Sequence, residues 1–129
     1  MNKHQYRIAS FLFLFSASVL SSAQEPTIAA RWDCFEFLSD SNVPIIKTWV
    51  YKNPNGEPDA GRIEANGIRK EASYYQQGIS HRWNFDLDLD NYVYKSAFVI
   101  KPDGDGLYYY YGSEDFVAPS LRTKCKKTK

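Results

Sequence analysis

Four sets of residues in this 129-residue chain have types and spacing suited to chemistry. They are one histidine, two short acidic series, two cysteines and a run of four tyrosines. His81 is the one histidine beyond residue 4. A Ser-His-Asp triad would use it as the base. No Gly-x-Ser-x-Gly elbow occurs, however, and no serine sits in a nucleophile's context. His81 instead falls in phase with an apolar strand face beside Trp83, the setting of a satisfied core or rim histidine.

Asp86, Asp88 and Asp90 match the start of a calcium loop. The match then fails, because Asn91 replaces the glycine at loop position 6 and Ala97 replaces the bidentate glutamate at position 12. Leu87 and Leu89 continue a strand pattern, which turns these carboxylates outward as a solvated acidic face. Asp103 and Asp105 lie in Pro-Asp-Gly-Asp-Gly and read as turn residues. Paired carboxylates can hydrolyse glycosides across a cleft, but nothing here singles out two. The expectation is a protein that is not an enzyme, with no catalytic residue, metal or cofactor assigned.

Tyr108, Tyr109, Tyr110 and Tyr111 are the candidate partner-binding residues. Alternation along a strand sends two to each face. One pair packs inside, and the other is at least partly exposed. Tyr74, Tyr75, Tyr92 and Tyr94 add to the supply. Aromatic side chains on a sheet anchor protein and sugar contacts.

The elements that must position these residues begin after a leader. Lys3 and Arg7 precede an apolar stretch from Ile8 to Leu20, and Ser21 and Ala23 stand at the −3 and −1 positions of a cleavage site. Residues 1–23 therefore read as a signal peptide, too short to span a bilayer. This predicts a periplasmic or secreted protein without a membrane span. Residues 24–30 read as a flexible segment, 31–125 as one β-domain and 126–129 as a basic tail.

Without Lys3 and Arg7 the chain holds 14 basic and 15 acidic residues. Five of the basic ones crowd into Arg122–Lys129, which leaves residues 24–121 with nine basic against 15 acidic. An acidic body argues against a nucleic-acid groove. Cys34 and Cys125 are the two cysteines, and export to an oxidising compartment predicts that they pair. A bridge closing a loop of about 90 residues is worth about 4–5 kcal/mol in the chain-entropy model. It also requires the first and last strands to be neighbours or to face each other across a core.

Strand signals run through Arg31–Leu38, Ile45–Tyr51, Ile79–Asp90, Tyr92–Ile100 and Leu107–Tyr111. Ile79–Asp90 is the clearest, with His81, Trp83, Phe85, Leu87 and Leu89 on one face and polar residues on the other. Residues 62–78 admit two readings. Asn66-Gly67 is a hairpin signal, whereas Ile68, Ala72 and Tyr75 have helical spacing. The predicted fold is mainly β: a small antiparallel β-barrel or sandwich of six to eight strands, with one short helix left open, closed by one disulfide.

A signal peptide, a compact β-domain and one cysteine near each end together resemble the small periplasmic inhibitors of lysozyme. That family carries a Ser-Gly-containing inhibitory loop. No such loop stands here, so the likeness is architectural and no residue is carried over. The leading expectation is an exported, non-enzymatic binding protein acting on a protein partner, as an inhibitor or immunity protein does. A carbohydrate or cell-wall binding module is the alternative, and a small hydrolase using carboxylates or His81 comes third.

Overall fold

Eight strands follow one another in the computed structural model, which describes residues 26–110 and 118–129. They are β1 (Ile28–Glu36), β2 (Ile46–Tyr51), β3 (Ala60–Ala65), β4 (Ile68–Gln77), β5 (Ser80–Leu89), β6 (Tyr92–Ile100), β7 (Asp105–Tyr109) and β8 (Leu121–Lys127). Each pairs antiparallel with the next, and β8 returns to β1, so the sheet closes into a barrel in sequence order. Closure removes the unpaired edges that an open sheet would expose. The expected signal peptide and Tyr111 lie outside the described residues.

The hairpin turns explain the meander. Asn66 and Gly67 both have positive φ, as do Asp90 and Asn91. Two such residues make the turn whose twist matches paired strands. Gly78 has positive φ at the first position of the two-residue loop from β4 to β5. The helix left open over 62–78 is therefore corrected to the β3–β4 hairpin. Its helical spacing has no structural counterpart: Ala72 is buried, while Ile68 and Tyr75 are exposed. The turn chemistry of Asn66-Gly67 decides the segment.

Three other boundaries differ from the sequence reading. β1 begins at Ile28, which pairs with Tyr51, so part of the segment read as flexible belongs to the ladder. β8 runs to Lys127, opposite Trp32, and the Thr128 amide donates to the Arg31 carbonyl at 2.8 Å. Asp105 opens β7 with its side chain buried, rather than sitting in the turn. Asp103 does act as a turn residue, its Oδ1 accepting from the Asp105 amide at 2.9 Å.

Cys34 and Cys125 stand directly opposite each other in the β1–β8 ladder and form the disulfide. The bridge thus ties the seam where the meander closes. Just inside it, Trp83 and Phe98 are fully buried. Their bulk needs small neighbours. A Cβ on Gly106 would lie 2.5 Å from Cys125 Sγ and 2.7 Å from Phe98 Cζ, and one on Gly61 would meet the Trp49 carbonyl and the Trp83 indole. The Trp83 indole N–H donates to the Trp49 carbonyl at 2.9 Å, so its polar atom is satisfied.

Alternation also explains the outer wall. Arg31, Trp49, Arg62 and Glu71 align across β1 to β4. The Trp49 ring lies between the guanidinium groups of Arg31 and Arg62, at 5.5 and 5.7 Å. An aromatic on the outside of a barrel is here covered by cations rather than by a second layer.

Candidate functional site

The barrel has two unlike ends. At the end carrying the β4–β5 hairpin, the inward residues are large. Trp32 packs against His81 at 4.7 Å and edge-on against Trp83 at 5.4 Å, and Tyr74 lies 5.2 Å from Trp83. The Tyr74 hydroxyl and His81 Nδ1 are 2.7 Å apart. Burial holds the imidazole below its usual pKa, with the positive charge of Lys127 adding to it, and burial pushes the Tyr74 hydroxyl up. A neutral imidazole beside a protonated phenol makes a stable pair in which the O–H donates to Nδ1. Among the described residues the ring has a tyrosine on Nδ1 rather than the carboxylate that orients a catalytic base. This end is a packed plug.

At the opposite end the same strands enclose space. A cavity of about 450 Å³ opens there, in the size range of small-molecule sites. Its wall includes Ile63, Ala65, Phe85, Leu87, Leu89 and Tyr108. The reason is legible along β5, whose inward residues step from Trp83 through Phe85 to Leu87 and Leu89. Side-chain volume falls toward this end, and the facing residues on β3 and β4 are not large enough to fill the difference.

The tyrosine run divides as alternation requires. Tyr108 and Tyr110 line the cavity, while Tyr109 lies on the other face, half-buried and paired with Ala97 in the ladder. Tyr108 packs edge-on against Phe85 at 5.8 Å and lies 6.1 Å from Tyr110. Burial raises the Tyr108 pKa, so its hydroxyl stays protonated at neutral pH.

One basic residue joins the wall. Counting back from the Asn66-Gly67 turn, Ile63 stands opposite Lys70, which puts Lys70 on the inner face of β4 with Ala72 and Tyr74. The β4–β5 ladder pairs Ser73–Gln77 with Ser80–Asn84 and ends there. Beyond that point the two strands leave a slit, and Lys70 lines both the inner cavity and a polar groove on the outer surface. Its ammonium lies 3.9 Å from Asp88 Oδ2, a carboxylate 72% exposed. Lys70 is the one charged residue among the described residues lining the cavity. The sequence reading missed it, although the alternation from the hairpin turn would have found it.

Ile68 and Leu121, both exposed, line the cavity where it opens. Leu38, Val43, Tyr92 and Val93 are exposed at the same end of the barrel but outside the cavity lining among the described residues. Leu38 is 94% exposed and has φ of 67°, a conformation costly for a leucine. The acidic residues are arranged otherwise. Asp86 faces Lys95 at 3.6 Å, and Asp105 is held between Arg122 at 2.7 Å and Lys124 at 3.0 Å, whose hydrogen bonds keep its carboxyl below the usual range. These pairs belong to the wall, not to the cavity.

The chain matches no protein-family model, and neither curated proteins nor solved structures give a significant match.

Proposed function

We propose that this chain is an exported, non-enzymatic binding protein that receives its target at the open end of the barrel. The observation that carries the reading is the apolar cavity at that end, walled by rigid strands and entered between exposed apolar residues. The leader-like residues 1–23 and the Cys34–Cys125 bridge support export, since structural disulfides persist in oxidising compartments. The test is native mass spectrometry of the oxidised protein, from residue 24 on, after exposure to periplasmic and lipid extracts. Adducts on the parent protein that vanish in Ala65→Phe, which fills the cavity, support the reading. Adducts that persist in Ala65→Phe and vanish in Tyr109→Ala move the site to the outer face.

The loop from β1 to β2 favours a second reading, a protein partner seated on that end of the barrel as an inhibitor's target would be. Exposed Leu38 and Val43 support it, because a strained and fully displayed leucine has no packing role. Serine at both positions is expected to abolish a protein complex while leaving cavity binding intact. A glycan module draws less support, because Tyr108 and Tyr110 turn inward instead of forming an exposed aromatic row.

A further inference from the structure

We infer that the cavity's ligand is a single-chain amphiphile with an anionic head, of the fatty-acid class, with its tail among Leu87, Leu89 and Ile63 and its head at Lys70. The inference rests on the cavity being the binding site and names what fills it. Three observations carry it. The lining is mostly aliphatic and aromatic, which rewards burial of a hydrocarbon chain. A volume of about 450 Å³ suits a medium-length chain rather than a macromolecular segment.

The third observation is the place of the charge. Lys70 sits on the inner face of β4, at the slit where the β4–β5 ladder stops, with about a third of its side chain exposed. Its carboxylate neighbour Asp88 is distant and solvated, so that pair is weak. A ligand carboxylate entering from the apolar side would meet the same ammonium with less water around it, where a charge-assisted hydrogen bond is stronger. A neutral apolar ligand would have no use for a cation at this position. An anion without a tail would leave the cavity empty.

The test uses displacement of N-phenyl-1-naphthylamine, a neutral apolar fluorophore, from the oxidised protein. Decanoate and decanol compete for it in the parent protein, in Lys70→Met and in Lys70→Arg. The fluorophore is expected to bind all three, which also shows that each variant has formed the cavity, and to fail with Ala65→Phe. Decanoate should displace it from the parent protein and from Lys70→Arg at concentrations at least about tenfold lower than from Lys70→Met, the gain of one charge-assisted contact. Decanol should compete equally in all three. Equal competition by decanoate in the parent protein and Lys70→Met would overturn the head-group assignment and leave the cavity as a neutral apolar site. Fluorophore binding that is absent from the parent protein, or that survives Ala65→Phe, would overturn the cavity assignment as well.

Discussion

At the end of the barrel near the β4–β5 hairpin, Trp32, Tyr74, His81 and Trp83 fill the interior, with the Tyr74 hydroxyl hydrogen-bonded to His81 Nδ1 and the Trp83 indole N–H to the Trp49 carbonyl. At the opposite end the same strands contribute Ile63, Ala65, Leu87 and Leu89, and space remains. The β4–β5 ladder stops at the Ser73–Asn84 pair, so the wall is looser toward the open end. The rest of the difference lies in which residue occupies each inward position. Large rings meet Gly61 and Gly106 at one end, where small residues make room, whereas at the other Ile63, Ala65, Leu87 and Leu89 leave space beside Phe85 and Tyr108. Packing is tight where volumes interlock, and open space remains where they do not.

The largest test of this contrast removes bulk. Trp83→Ala deletes a fully buried indole and its hydrogen bond, and should cost about 3–5 kcal/mol in urea unfolding. Leu87→Ala trims a side chain that already faces open space, and should cost less than about 1.5 kcal/mol. Equal losses would mean that the two ends are packed alike. A smaller test adds bulk. Gly106→Ala has nowhere to place its methyl group beside Cys125, Thr123 and Phe98, and should cost about 1–3 kcal/mol. Ala65→Leu points into the cavity and should change stability by no more than about 0.5 kcal/mol while weakening fluorophore binding. Thermal unfolding of the two variants side by side decides it.

How much of this was readable beforehand depends on the kind of signal. The antiparallel β-domain was, with barrel and sandwich both open, because strict alternation in Ile79–Asp90, short loops and a cysteine near each end fit either. The disulfide was, since two cysteines allow one pairing. The cavity was not, because an apolar face announces a core without saying whether the core is full. That depends on volumes summed across strands whose register the sequence does not display. Ala65 and Leu87 look like ordinary core residues until Ile63, Tyr108 and Phe85 are seen beside them. Lys70 was hidden for a different reason. With 62–78 split between hairpin and helix, its face was undefined, and a lone lysine in a strand usually points to water. The tyrosines were singled out as a group, but the faces of Tyr108, Tyr109 and Tyr110 separate only once alternation is anchored to the β6–β7 register.

The smallest expected effect concerns the plug alone and separates the ends by pH. His81 is held neutral in the folded barrel by burial and by Lys127, whereas in the unfolded chain it titrates near 6.5. Its folded pKa is the lower of the two, so the unfolded chain binds more protons between the two values. The contribution is therefore complete above about pH 6.5 and is lost as the pH falls through the folded value. Protonation would put a second cation beside Lys127 and turn the Tyr74 hydroxyl from a donor into an acceptor. No other histidine lies beyond residue 4, and unperturbed carboxylates titrate lower, so the window from about pH 7.5 to 5.5 isolates this group. His81→Gln keeps an acceptor for Tyr74 and removes the titration. Urea midpoints measured across that window should fall for the parent protein and stay nearly level for His81→Gln. Parallel slopes would place the imidazole in water and remove it from the plug, leaving Trp32, Tyr74 and Trp83 to close that end by packing alone.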